Sequence, residues 1–316
     1  MDGNDPIGHR MRASARVVAA VVRTALLACL AWAAAPAWSA DSVASPAAAP
    51  ASGPSYLDRL ATFKTHLVHE GPSPQPYKAQ TLPAGVQEVT YQSGKLALKA
   101  WVAYPGSASL SKKVPGVVFF HGGYAFGAGD FDDARPFLDA GFAVLCPMLR
   151  GENGNPGNME LALGEADDAN AAVAWLASQP QIDSSHLYAF GFSAGGLVSA
   201  MLSLRPSPLR HAASAGGLYG PRLFDIDWMV EMTKGVPFDR SDPKERSMRV
   251  LIGNVAWLQR RHFAYVGAGD FDQDVELARR EMHEGSRLMI IVMPGDHFEA
   301  LGPAIRDYIQ RIRANP

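Results

Sequence analysis

The chain has 316 residues, 29 Lys+Arg against 31 Asp+Glu, and a formal net charge of −2. That length suffices for one large α/β domain with a sizeable core. Neither a basic stripe nor an acidic block is present, so no nucleic-acid partner and no charged disordered tail are expected.

Residues 1–40 have the order of an export signal. Arg10, Arg12 and Arg16 precede an apolar stretch from Val17 to Ala37, interrupted at Arg23, and small residues follow at Ala37, Ser39 and Ala40. Cleavage between Ala37 and Ala40 is expected, giving an exported (periplasmic or secreted) protein with no membrane span in its mature form. The alternatives are an uncleaved anchor and a lipidated Cys29. The run from Arg23 to Ala40 is short for a span of roughly 20 apolar residues, and the apolar stretch continues past Cys29. The other cysteine, Cys146, would then have no intramolecular partner, and its strand-like surroundings mark it as a small buried apolar residue.

Residues 41–84 are an Ala/Ser/Pro-rich tether and N-terminal extension. A short helix is expected over 56–69, broken by Gly71-Pro72-Ser73-Pro74-Gln75-Pro76. From residue 85 to 316 the pattern becomes regular. Two strands over 86–91 and 96–104 meet at Ser93-Gly94. Val114 to Phe120 is a continuous apolar run, as in a strand covered on both faces. Helices over 131–140 and 161–178 flank a strand through Cys146. The later strands lie at 187–190, 211–215, 263–266 and 287–293, with helices between and after them. Strands alternating with helices predict an α/β fold: a mostly parallel central sheet with helices on both faces. Residues 221–261 break the alternation and are expected to form a small helical cap, with Trp228 lining the cleft.

Gly191-Phe192-Ser193-Ala194-Gly195 stands between the strand Leu187–Phe190 and the helix-like Leu197–Leu202. A Gly-x-Ser-x-Gly at a strand-to-helix junction is a nucleophile elbow, with the serine hydroxyl held at the top of the sheet. A serine hydroxyl is a weak nucleophile and needs a base, and the base needs a carboxylate to fix its tautomer. In such a fold the acid and the base follow the serine in that order. His297 lies in the loop between the last strand and the closing helix, where a base must sit. His262 begins a strand at the opposite end of the sheet, His283 is near a helix terminus, and His211 precedes a short strand. Asp270, just beyond the penultimate strand, is the expected acid, with Asp272 second. Asp274 suits a helix N-cap and Asp296 a turn.

Oxyanion donors are expected from the backbone N–H of Ala194 and from the loop His121-Gly122-Gly123-Tyr124. The Gly123 N–H is favoured there and the Tyr124 N–H is its rival. The Tyr124 ring is a candidate cleft residue, and His121 is expected to pin the loop.

With these residues in place, the chain resembles the α/β-hydrolase superfamily, and within it the prolyl-oligopeptidase-like and dienelactone-hydrolase-like branch. The ordered motifs that carry the resemblance are Phe120-His121-Gly122-Gly123, Leu149-Arg150-Gly151-Glu152-Asn153-Gly154, Gly164-Glu165-Ala166-Asp167-Asp168, Gly191-Phe192-Ser193-Ala194-Gly195-Gly196, Gly267-Ala268-Gly269-Asp270 and Gly295-Asp296-His297-Phe298. The resemblance implies a serine hydrolase with Ser193 as nucleophile, Asp270 as acid and His297 as base, working without metal or organic cofactor. Arg150, Glu165 and Asp168 read as scaffold residues. Residues 41–84 are too few for the β-propeller that prolyl oligopeptidases carry. That favours a small ester over a short peptide as substrate, with a serine peptidase or amidase as the alternative; a non-catalytic binding protein with this fold is the remaining reading.

Overall fold

The computed structural model of the chain describes residues 53–270 and 274–314. The export-signal segment, Cys29 and Asp272 lie outside the described residues. Eight strands form one sheet: β1 (Val86–Ser93), β2 (Leu96–Ala103), β3 (Val114–Phe120), β4 (Ala143–Pro147), β5 (Ile182–Phe192), β6 (His211–Ala215), β7 (Arg261–Gly267) and β8 (Leu288–Met293). Their spatial order is β1-β2-β4-β3-β5-β6-β7-β8. β1 pairs with β2, and β2 with β4, antiparallel; every later pairing is parallel. This is the α/β-hydrolase architecture.

The parallel strands are apolar throughout because both faces of the sheet are covered. Along β3 the pleat sends Val118 and Phe120 into one buried cluster and Val117 and Phe119 into the other. The first cluster is completed by α3 (Gly164–Ala177) and α4 (Ala194–Leu202), the second by α2 (Ala128–Asp139) and α8 (Leu301–Ala314). Phe119 and Phe190 stack at 5.9 Å in the second cluster; each such fully buried ring is worth about 1.5–3 kcal/mol. Cys146 is a free thiol with no exposure, packed in the same cluster from β4.

The helix α1 (Tyr56–Thr62) is shorter than the pattern predicts. Ser55 and Asp58 form a capping box at its start, and Phe63 turns extended at its end. Residues 41–52 of the Ala/Ser/Pro-rich tether lie outside the described residues, and the extension after α1 is tied to the fold. Leu67 bridges to Phe238, the Ser73 N–H donates to the Gly151 carbonyl, and the Met159 N–H donates to the Gly71 carbonyl. Between β6 and β7 the chain makes the short helices α5 (Asp227–Met232) and α6 (Pro243–Ser247) and two 3₁₀ turns. The helix α7 (Val275–Glu281) follows Asp274, which holds the N-cap position without capping; its carboxylate instead accepts from Arg222 Nη2 at 3.2 Å. Among the described residues no helix is long and apolar enough to cross a membrane.

Candidate active site

Pairing register brings the ends of five parallel strands to one edge. Phe120 stands beside Gly191, Phe192 beside Ala215, Ala215 beside Tyr265, and Gly267 beside Met293. The loops after these strands carry the sequence-predicted residues, at the carboxyl rim where open α/β sheets bind ligands.

Ser193 follows β5 directly and precedes α4. Its backbone has φ 52° and ψ −116°, a sparsely populated conformation that costs about 1–3 kcal/mol and persists only where its surroundings fix it. They do so here. The Ser193 N–H donates to the Ala215 carbonyl at 2.8 Å, and the Ser193 carbonyl accepts from the Leu197 N–H at 3.0 Å. A Cβ on Gly195 would overlap the carbonyl oxygens of Phe120 and His121. Only glycine lets the first turn of α4 approach the neighbouring loop this closely.

His297 is buried, and its Nδ1 lies 2.8 Å from Asp270 Oδ1, with both side chains nearly inaccessible. This carboxylate fixes which ring nitrogen carries the proton. The imidazole lies against Gly216, where φ is +63° and a Cβ would stand 2.7 Å from Nδ1. Gly216 directly follows Ala215, the residue that anchors the Ser193 backbone. Phe192, the residue before the serine, packs its ring 5.1 Å from the His297 ring. The structure therefore gathers Ser193, His297 and Asp270 at one rim although β6 and the whole 216–260 excursion separate them in sequence. The other histidines are elsewhere. His262 is buried between the hydroxyls of Ser203 and Ser214, each 2.9 Å away, and burial pushes its pKa down to about 3. His211 packs edge-on against Phe263, and His283 bonds to the Glu284 carbonyl. Asp296 is a turn residue, accepting from the N–H groups of Phe298 and Glu299 at 2.9 Å each.

Opposite the serine, the loop after β3 is pinned peptide by peptide. His121 Nδ1 lies 3.0 Å from the Gly122 carbonyl and Nε2 lies 3.1 Å from Glu152 Oε2. Burial disfavours the imidazolium, but the charge and hydrogen bond of Glu152, with Asp130 behind, outweigh it and hold the His121 pKa up to about 9. A protonated ring donates to both partners at once. The Glu152 carboxylate also accepts from the Leu149 N–H at 2.7 Å. The Tyr124 N–H donates to Gln75 Oε1 at 2.8 Å and is thereby engaged, whereas no acceptor lies within reach of the Gly123 or Ala194 N–H among the described residues. At the far end, Asn153 accepts from the Phe126 N–H and donates to its carbonyl, both at 2.8 Å.

Tyr124 is buried, and its hydroxyl reaches Met229 Sδ of α5 at 3.5 Å. Trp228, next along α5, is half-buried against the core. Gly123, Tyr124, Ala194, Leu197, Met159 and Glu165 line a hollow beside the free N–H groups. Burial raises the Glu165 pKa to about 7; one of its oxygens accepts from the Glu160 N–H at 2.7 Å and the other has no hydrogen-bond partner among the described residues. Arg150 makes three bonds of 2.9 Å to the fully buried Asp168 and one of 2.7 Å to Glu160, the scaffold role its sequence position implies. Among the described residues no group of three or more His, Cys, Asp or Glu side chains is arranged to hold a metal ion.

Sequence reasoning missed Ser73, Gln75 and Phe298, and did not single out Met229 among the apolar residues of 221–261. Phe298 is 60% exposed and stands 5.3 Å from the His297 ring. An aromatic beside the expected base was a visible signal for it; nothing in a Pro-rich stretch singled out Ser73 or Gln75.

Residues 73–220 match the profile of the X-Pro dipeptidyl-peptidase (S15) family. An uncharacterized peptidase of Bacillus subtilis, YtmA, is 28% identical over 118 residues, 37% of this chain and 44% of the relative. An uncharacterized protein of Mycobacterium tuberculosis is 30% identical over 158 residues, 48% of this chain and 55% of the relative. The chain thus spans about half the length of these curated relatives. Among solved structures, dipeptidyl peptidase 4 of Porphyromonas gingivalis superposes with TM-score 0.57 and 16% identity over 72% of this chain and 35% of that one. A Pyrococcus furiosus esterase superposes with TM-score 0.57 and 15% identity over 79% and 97%. The chain therefore has the α/β-hydrolase fold, and its residues 73–220 match the pattern of the S15 peptidases.

Proposed function

We propose that the chain is a serine peptidase or amidase acting on a short peptide through an acyl-enzyme. Ser193 Oγ attacks the scissile carbonyl, and His297 takes its proton as Asp270 steadies the imidazolium. The N–H groups of Ala194 and Gly123 receive the oxyanion. His297 then protonates the leaving amine, and water, activated by the same base, releases the acyl group. The observation that carries this reading is the buried Asp270–His297 pair lying against Gly216, one residue from the anchor of the strained Ser193 elbow.

The preference for an amide reverses the one drawn from the sequence, which rested on the shortness of residues 41–84 and on finding no acidic site for a peptide amino terminus. The S15 match and the peptidase name of the Bacillus relative favour the peptide reading. Glu165 lines the hollow, one of its buried oxygens has no hydrogen-bond partner among the described residues, and it is our candidate to receive a substrate amino group. Tyr124 and Phe298 bound the substrate's path, with the 221–261 excursion acting as a cap through Trp228 and Met229. The export reading of residues 1–40 accompanies this function: the mature protein should begin between residues 38 and 41 by N-terminal sequencing.

Profiling the mature protein against p-nitrophenyl esters of graded length and against aminoacyl and peptidyl p-nitroanilides tests the proposal. Efficient anilide cleavage supports it. Turnover of short esters with no anilide cleavage would establish the esterase instead.

A further inference from the structure

We propose that Ser73 and Gln75, from the N-terminal extension, are positioning residues that clamp the oxyanion-binding loop. The inference rests on the hydrolase reading above, in which the Gly123 N–H is an oxyanion donor.

The clamp has two points on one residue. Gln75 Oε1 accepts the Tyr124 N–H at 2.8 Å, and Ser73 Oγ donates to the Tyr124 carbonyl at 2.6 Å. The two side chains are tied together, since the Gln75 N–H donates to Ser73 Oγ at 3.3 Å. The extension is itself anchored to the fold by the Ser73 N–H on the Gly151 carbonyl at 3.0 Å. Both peptide groups of Tyr124 are therefore fixed from outside the loop.

The peptide plane that contains the Gly123 N–H ends in the Gly122 carbonyl, which His121 holds from the core side. The next plane contains the Tyr124 N–H, which Gln75 holds from the solvent side. Gly123 joins the two planes at φ +68°. A glycine hinge at positive φ is soft, and its N–H direction is set by what holds the planes on either side. His121 alone fixes one side. Gln75 fixes the other, Ser73 holds the plane after it through the Tyr124 carbonyl, and by occupying the Tyr124 N–H Gln75 leaves the Gly123 N–H as the loop's donor. The Gln75 amide also lies on Gly123 itself, with Oε1 2.9 Å from where a Cβ would stand. Oxyanion stabilisation depends on donors already aimed before charge develops, so loosening this plane acts on the transition state and spares substrate binding.

The test compares full-length mature wild type with Gln75→Met, which keeps the side-chain volume and removes the acceptor, and with Ser73→Ala. The substrate is whichever ester or anilide the wild type turns over fastest, and a matched boronic acid serves as the tetrahedral mimic. Gln75→Met should lower kcat about 10–100-fold with KM within about twofold, and boronate affinity should fall in parallel. Ser73→Ala should do the same more weakly, and the double variant should lose less than the product of the two, since both hold Tyr124. Should Gln75→Met fail to fold, Ser73→Ala alone decides. An unchanged kcat in the folded variants, a raised KM at constant kcat, or a gain in activity each overturns the clamp. An active wild type with unaffected variants sinks the clamp alone; a folded wild type that turns over neither substrate class sinks the hydrolase reading and the clamp with it.

Discussion

Gly216→Ala places a methyl group where the His297 imidazole lies. The new Cβ would overlap Cε1 and stand 2.7 Å from Nδ1 and 3.4 Å from Nε2. Non-bonded carbon contacts relax to about 3.5–4.0 Å, so the ring must withdraw by about 1 Å. Its bond to Asp270 is 2.8 Å long, and such a move carries it past the roughly 3.2 Å limit of a good hydrogen bond. A displacement of about 1 Å at a reacting group costs about 100-fold in rate, equivalent to about 2.7 kcal/mol. The φ of +63° adds roughly 1–2 kcal/mol of strain that a residue with a Cβ feels and glycine does not. Steady-state kinetics should show kcat reduced about 100-fold, and thermal melting should show a lowered Tm. A variant whose Tm falls while kcat stays within about twofold of wild type would refute the argument that Gly216 sets the position of His297.

Three further outcomes follow from the same geometry. Asp270→Asn should lower kcat by about 10³–10⁴-fold with the fold intact, because the amide holds the wrong tautomer of His297; the same loss in Asp272→Asn with Asp270→Asn unaffected would reassign the acid. The His121 pKa is raised from 6.5 to about 9, so its stabilising contribution is complete below pH 6.5 and disappears as pH rises through about 9. A kcat decline near pH 9 is expected, and Glu152→Gln should move it towards neutrality, as read from the pH–rate profile. Arg150→Met leaves the buried Asp168 carboxylate without its bidentate partner and should cost about 3–5 kcal/mol in urea unfolding, much of which Arg150→Met combined with Asp168→Leu should restore.

The sheet was legible because its signals are local. A continuous apolar run such as Val114–Phe120 has one structural meaning when helices bracket it, and the structure returns that strand with the same bounds. The elbow was legible because Gly195 is required by a close backbone approach that no other residue type permits. The order of serine, acid and base then restricted the search to loops after particular strands, and Asp270 and His297 do lie together. Asp274 shows where local logic failed: it holds a capping position, but a long-range partner, Arg222, takes its carboxylate. Ser73 and Gln75 were invisible for the same reason. They sit in a segment without periodicity, and their roles come from contacts about 50 residues away at Tyr124. Trp228 and Met229 are adjacent on a short helix, and only packing reveals that Met229 reaches the Tyr124 hydroxyl.

Covalent trapping of the nucleophile addresses the central claim most directly. Mature wild type treated with a fluorophosphonate should gain one adduct by intact mass, and peptide mapping should place it on Ser193; Ser193→Ala should gain none. A folded wild type that takes up no label, or carries it on another residue, would contradict the assignment of Ser193 as the nucleophile.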